Sequence, residues 1–234
     1  MAGGVWQSWR SLFVSVTVQR EAGPATHPLP VPLPSGSLDT QRYVVFDLET
    51  TGLKPSLGDA IVQIGAVLLE NGQETRSFST LVDPGRRIPP VSTRYHGITD
   101  AMVAGAPSVS DALGAFRDFA AGAVLVAHNA AFDLTALAAA AEHGAPRLEN
   151  PAMCSMVLAR WLDPREPDIS LDGLCGRAGL VIQGRHQALG DARATATLWM
   201  SLLARASARG VADLAELAAR TRMTERIAEH AKHF

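Results

Sequence analysis

Residues 43–53 read YVVFDLETTGL, with Asp47 and Glu49 two apart in an otherwise apolar run. In an extended strand alternate side chains share a face, so both carboxylates point the same way as Val45, while Val44, Phe46 and Leu48 point the other. A strand this apolar belongs in a core, where adjacent carboxylates repel and raise each other's pKa unless a cation sits between them. The pair therefore asks for a metal ion or for a cluster of arginines. Two further segments carry groups of the same kind. In AHNAAFD, Asn129 and Asp133 are four apart and share one side of a helix that follows a strand. In GRHQALGDARATA, His186 lies on a glycine-flanked loop and Asp191 opens a long helix. Taken singly, Asp133 and Asp191 read as first-turn acids favoured by the helix dipole, and His186 as a solvated loop histidine. His128, and His96 in TRYHGITD, read as structural hydrogen-bonding residues. The Asp47 and Glu49 pair has no such plain reading, and three segments delivering carboxylates to strand ends point to one site.

The elements that must position these groups alternate along the chain. Strands are expected over residues 43–48, 60–69 and 76–82, the last two joined by Asn71-Gly72, the commonest hairpin signal. Three strands with short joins read as an antiparallel meander. Helical periodicity follows over 108–121, a short apolar strand over 123–127, and an alanine-rich helix over 130–143 closed by Gly144 and Pro146. Residues 153–162, 170–178, 191–208 and 211–219 read as further helices. Antiparallel strands followed by β-α alternation predict an α/β chain with a mixed sheet flanked by helices.

Composition bounds the function. At 234 residues and 47% hydrophobic the chain can bury a substantial core, and its length suits one catalytic-size domain with extensions. Cys154 and Cys175 are too few for a disulfide framework, which points to a reducing, cytoplasmic setting. A net charge of −2 excludes the global basic field of a strong nonspecific nucleic-acid binder, so any nucleic acid must be held locally. Residues 1–38 differ in kind. Trp6, Trp9, Phe13 and Val16 fall at helical spacing, giving an amphipathic segment whose residues 1–20 could hold a protein partner. The apolar run at 12–18 is too short for a membrane span, and PATHPLPVPLPSGS after it reads as an extended linker. The expected divisions are 1–38, a domain over 39–208, and a helical tail over 209–234.

FDLETTG, HNAAFD and HQALGDA resemble the three sequence motifs of the DEDDh 3′–5′ exonucleases, the superfamily that includes the proofreading subunit of bacterial DNA polymerase III. IVQIGAV and YHGITDAMVAGAPS match as well, so the resemblance covers residues 42–205. It implies an RNase H-like fold with a five-stranded mixed sheet. It also implies a hydrolase that releases nucleoside 5′-monophosphates from a single-stranded or frayed 3′ end of DNA, with RNA as the other candidate. Such hydrolysis suits two divalent ions roughly 3.5–4 Å apart, and Mg²⁺ or Mn²⁺ prefers carboxylate oxygens. By the same resemblance Asp47 bridges both ions, Glu49 and Asp191 ligate the one holding the nucleophilic water, and Asp133 supports the other. His186 is then the general base, because imidazole titrates near neutrality and a loop lets it approach. Thr50, Thr51 and Leu53 form a lip for the terminal nucleotide, Leu53 on its base and Thr51 near the 3′ end, while Asn129 and Phe132 line the groove.

The chain also departs from the family's best-known members. Cys154 and Ser155 stand where many relatives have an Asp-Thr pair, and residues 209–234 lack the glutamine-rich character of the proofreading subunit's tail. Two other readings follow: an RNA-trimming exonuclease without a proofreading role, since the 2′-OH is read by pocket detail, and a docking module with little catalysis.

Overall fold

The computed structural model describes residues 33–234. The amphipathic segment and most of the proline-rich linker expected at the N-terminal side lie outside the described residues. Strands β1 (Tyr43–Thr50), β2 (Ile61–Glu70) and β3 (Gln73–Leu81) form the antiparallel meander. Asn71 and Gly72 both take positive φ, 50° and 74°, as a two-residue hairpin turn between right-twisted strands requires. On the other edge of β1, strands β4 (Val124–Ala127) and β5 (Ala152–Cys154) add in parallel, giving the order β3-β2-β1-β4-β5. The result is the five-stranded mixed sheet, flanked by helices, of the RNase H-like fold.

Helices α1 (Pro90–His96), α2 (Asp100–Val103) and α3 (Val109–Phe119) precede β4, and α4 (Ala130–Glu142) joins β4 to β5. After β5 come α5 (Ser155–Leu162), α6 (Leu171–Arg177), α7 (Ala188–Ser207), α8 (Leu214–Thr221) and α9 (Met223–Ala231). Residues 153–162, expected as one helix, divide between β5 and α5. Three strand residues are too few to show a period of two, and Met153 and Cys154 fit the helical pattern that follows them. Helix α7 begins three residues earlier than expected, so Asp191 sits within its first turn rather than at its start.

Alternation along β1 sorts its residues between two layers. Helix α7 crosses β1 and β2 on one face, where the Tyr43 ring meets Trp199 edge-on at 5.7 Å. Helix α3 covers the other, where Phe46 and Phe78 meet Phe116 at 5.4 and 5.8 Å. Burying each such side chain contributes about 1.5–3 kcal/mol. Asp47 and Glu49 share the parity of Tyr43 and thus face α7.

Packing runs continuously across both expected division points. Leu38 is buried, Ser37 pairs with Asp213, and Tyr43 donates its hydroxyl to Leu38 O at 2.6 Å. Leu214, Leu217, Met223 and Ile227 of α8 and α9 join the same core, and the Cys154 amide donates to Met223 Sδ at 3.3 Å. No helix among the described residues is long and apolar enough to cross a membrane.

Candidate active site

Two elements bring the first three carboxylates together. One side-chain oxygen from each of Asp47, Glu49 and Asp191 lies within 4.8 Å of the others. Strand β2 makes this approach possible. Gly65 pairs with Asp47, on the same face, and a Cβ at Gly65 would meet Leu189 N at 2.1 Å and the Ala188 carbonyl carbon at 2.2 Å. Only glycine lets the first turn of α7 lie directly on the sheet and carry Asp191 to β1. Gln63, opposite Glu49, accepts a 3.0 Å bond from the Ala188 amide through Oε1, satisfying a donor at the open end of α7.

Asp133 arrives from the other side of β1. Strand β4 ends at Ala127, and Asn129, in the left-handed region at φ 61°, turns the chain into α4. Asp133 Oδ1 then accepts from the Leu48 amide at 3.2 Å, where β1 has run past its parallel neighbour.

Burial and mutual repulsion govern the charges. Burial, then the charges of Asp133, Glu49 and Asp191, push the Asp47 carboxyl well above the usual range. Burial and the neighbouring Asp191 push Glu49 up to about 7. Asp133 moves up through burial against the opposing pull of backbone hydrogen bonds. Asp191 is raised by burial despite the Arg185 guanidinium beside it. Its Oδ2 accepts from Arg185 Nη1 at 2.5 Å and from the His186 amide at 3.1 Å, whereas Oδ1 is buried with no hydrogen-bond partner among the described residues. Four crowded carboxylates, raised pKa values and an orphaned acceptor suit hard divalent ions; no cysteine or histidine shares the three-residue cluster.

His186 is half-buried on the loop before α7, in the left-handed region at φ 61°. Its ring stacks at a tilt on Tyr95, 4.1 Å between centroids, and Nδ1 lies 3.2 Å from Arg185 Nη1. His128 is structural: its ring nitrogens contact Ser155 Oγ at 2.9 Å and Ile169 O at 3.0 Å, and burial lowers its pKa to about 4. His96 Nδ1 accepts from the Ile98 amide at 3.0 Å.

At the lip the structure separates residues that the sequence grouped. Thr51 is buried, its hydroxyl donating to Asp59 Oδ1 at 3.1 Å and accepting from the Ala60 amide at 3.0 Å. Thr50 donates to Gly52 O at 2.6 Å. Both hydroxyls brace the turn from beneath. Leu53, by contrast, is 72% exposed and Leu57 81% exposed on its outer side. Phe132 is half-buried, with the Phe234 ring 5.2 Å away, and Asn129 is half-buried beside it at the head of α4. Lys54 Nζ donates to His233 O at 2.6 Å, so the end of the chain after α9 closes on the lip.

Sequence reasoning missed Gln63, Gly65, Tyr95 and Arg185. Gln63 and Gly65 stand in IVQIGAV, where a glycine interrupting an apolar strand marks a close backbone approach. Tyr95 is 63% exposed for an aromatic residue, which only the structure reveals.

Comparison with known proteins agrees with this architecture. The exonuclease family RNase_T matches residues 44–199. A DNA polymerase III subunit epsilon-like protein of Rhodobacter capsulatus is 47% identical over 178 residues, 74% of this chain and 25% of that protein. A PolC-type DNA polymerase III of Clostridium perfringens is 42% identical over 157 residues, 67% of this chain and 11% of that one. The chain thus spans a quarter or less of the length of these curated relatives. Among solved structures, exonuclease X in complex with 5′ overhanging duplex DNA is 31% identical with a TM-score of 0.61, covering 77% of this chain and 99% of that one. Exonuclease I of E. coli in complex with a dT13 oligonucleotide shares the fold at 16% identity and a TM-score of 0.59, over 70% of this chain and 41% of that one. With motifs, sheet order and family match in accord, the chain belongs to the exonuclease family.

Proposed function

We propose that this chain is a metal-dependent 3′–5′ exonuclease that hydrolyses phosphodiester bonds at the 3′ end of DNA and releases nucleoside 5′-monophosphates. The observation that carries this reading is the convergence of Asp47, Glu49 and Asp191 on one point, with the buried Asp191 Oδ1 left unpaired. Asp47, Glu49 and Asp191 would hold Mg²⁺ or Mn²⁺ ions, with Asp133 supporting a second ion from the α4 side. Such ions, when bound, acidify a water and offset charge on the attacking and leaving oxygens.

The chain's own groups supply the rest. His186 takes the proton of the attacking water on an imidazole nitrogen, which its loop position allows. In the observed contact Arg185 donates to Nδ1, which places the proton of neutral His186 on Nε2. That contact has to open before the ring can act as base. Exposed Leu53 on the lip offers an apolar surface to the terminal base, and Phe132 and Asn129 border the same groove. Tyr95, packed on His186, borders it from α1. DNA is favoured over RNA because exonuclease X, similar over nearly its whole length, is seen in complex with 5′ overhanging duplex DNA. Residues 1–20 are assigned a tethering role toward a protein partner, on the helical spacing of Trp6, Trp9 and Phe13. The cytoplasm suits two buried, unpaired cysteines.

The test is a time course on matched 3′-labelled and 5′-labelled DNA and RNA oligonucleotides in Mg²⁺, Mn²⁺ or EDTA. Mononucleotide release from 3′-labelled DNA, absent in EDTA, is the expected result. Internal cleavage, or full activity in EDTA, would overturn the reading.

A further inference from the structure

Among the described residues Arg185 is the basic one that reaches into the carboxylate cluster, and no motif accounts for it. Its guanidinium makes three sets of contacts at once. Nε and Nη2 grip Asp172 of α6, at 2.9 Å to Oδ1 and 2.9 Å to Oδ2 respectively. Nη1 reaches Asp191 Oδ2 at 2.5 Å and His186 Nδ1 at 3.2 Å. Asp172 is largely exposed, whereas Asp191 is buried, so the guanidinium spans from solvent to the floor of the site.

We propose that Arg185 is the site's resident cation, a positioning residue that neutralises the carboxylates before metal binds and couples the freedom of His186 to metal occupancy. This rests on the reading of Asp191 as a metal ligand and His186 as the base. A divalent ion on Asp191 Oδ1 and a guanidinium on Oδ2 of the same carboxylate repel strongly in so buried a place. The bidentate grip on Asp172 gives the guanidinium somewhere to remain when it withdraws from Asp191. Withdrawal takes Nη1 from His186 Nδ1 in the same movement. The base is therefore held while the site lacks its ions and is freed when they arrive.

Two substitutions of opposite expected sign test this, read by Mn²⁺ binding without substrate. Arg185→Gln removes the competing charge and should tighten Mn²⁺ binding about tenfold or more. Asp172→Asn removes the refuge but keeps the guanidinium, leaving it on Asp191, and should weaken Mn²⁺ binding. Metal-free Arg185→Gln should melt below wild type, with the gap closing at saturating Mg²⁺. Arg185→Lys keeps the charge but cannot span three partners. Its Mn²⁺ affinity should stay near wild type, while the His186 imidazole NMR signals already take the positions that wild type reaches only with Mg²⁺. Unchanged or weaker Mn²⁺ binding by Arg185→Gln overturns the proposal, as do shifts of the same sign in Arg185→Gln and Asp172→Asn. Failure of the underlying site reading looks different: wild type would then bind no Mn²⁺, or would bind it equally well after Asp47→Asn.

Discussion

Strand β1 and the loop before α7 supply the two halves of the site by opposite means. Asp47 and Glu49 project from the stretch of β1 that pairs with β2 and runs past β4, and their positions are set by that ladder and by Gly65. Arg185 and His186 stand on a loop, with Gly184 and His186 in the left-handed region and contacts made by side chains rather than by a ladder. Groups that must keep a fixed spacing are on the stiff element, and groups that must move are on the adjustable one. On the proposed reading, holding charge is thereby separated from moving a proton.

The sharpest way to break this contrast is to remove a strand carboxylate. Asp47→Asn should lower hydrolysis by several orders of magnitude, while circular dichroism reports an intact fold. Its metal-free melting temperature should match or exceed wild type, because a repulsive buried charge is gone. Full activity in this variant would end the assignment of Asp47 as a ligand.

On the loop side, His186→Ala should cost about 10²–10⁴-fold in turnover, with Mn²⁺ affinity little changed. His128→Ala serves as the control. It strands Ile169 O and leaves Ser155 Oγ only its long bond to Ala127 O, so it should cost about 1–3 kcal/mol of stability in denaturant melts and leave turnover near wild type. A large turnover defect in His128→Ala without one in His186→Ala would exchange their roles.

The stiffness of the strand side is probed at Gly65. A methyl group there has to displace the backbone of Ala188 and Leu189, so Gly65→Ala should lose about 3 kcal/mol or more and weaken Mn²⁺ binding as Asp191 is pushed from β1.

A gentler perturbation is pH. Glu49, pushed up to about 7 from an ordinary 4.5, holds an extra proton when folded, and Asp47 and Asp133 shift the same way. Where the native state binds more protons than the unfolded state, stability falls as pH rises. The melting temperature of the metal-free protein should therefore decline between pH 4.5 and about 7, Glu49 alone accounting for on the order of 3 kcal/mol. Saturating Mg²⁺ should flatten the decline. A metal-free protein that grows more stable over that range would mean that the carboxylates are already compensated.

The smallest effect should come from removing residues 1–32. A chain beginning at Leu33 keeps the Ser37 pairing with Asp213 and the buried Leu38. It should digest a short oligonucleotide within about twofold of the full-length rate, since tethering changes local concentration and not the chemical step. A drop well beyond that would place those residues in the catalytic unit.

Much of this site was legible because charge inside an apolar strand is costly and its cause is local. Asp47 and Glu49 announce themselves by breaking a hydrophobic pattern, and Asn71-Gly72 announces its turn through backbone conformation alone. Strand β5 did not, since its three residues are fixed by pairing with β4, a long-range fact. Arg185 was illegible for the related reason that its partners, Asp172 and Asp191, lie on two helices that only the fold brings together. The contacts of the Thr51 hydroxyl were hidden for the same reason, since Asp59 and Ala60 reach it only once the turn forms. Helices α8 and α9 read as a tail, their apolar faces being matched by surfaces of α4, α5 and β5 that the sequence cannot place beside them.

The bare Gly65 position has a further consequence for how the molecule responds to heat. Strand β2 and the first turn of α7 touch backbone to backbone there, and the Gln63 bond ties the Ala188 amide to the sheet. No side chain separates the two backbones at Gly65, so strand and helix should move as one body on warming. Thermal agitation should then move the acids together and leave their separations intact. The Ala188 amide should exchange with solvent as slowly as the sheet amides, and metal affinity should persist on warming until the whole domain unfolds.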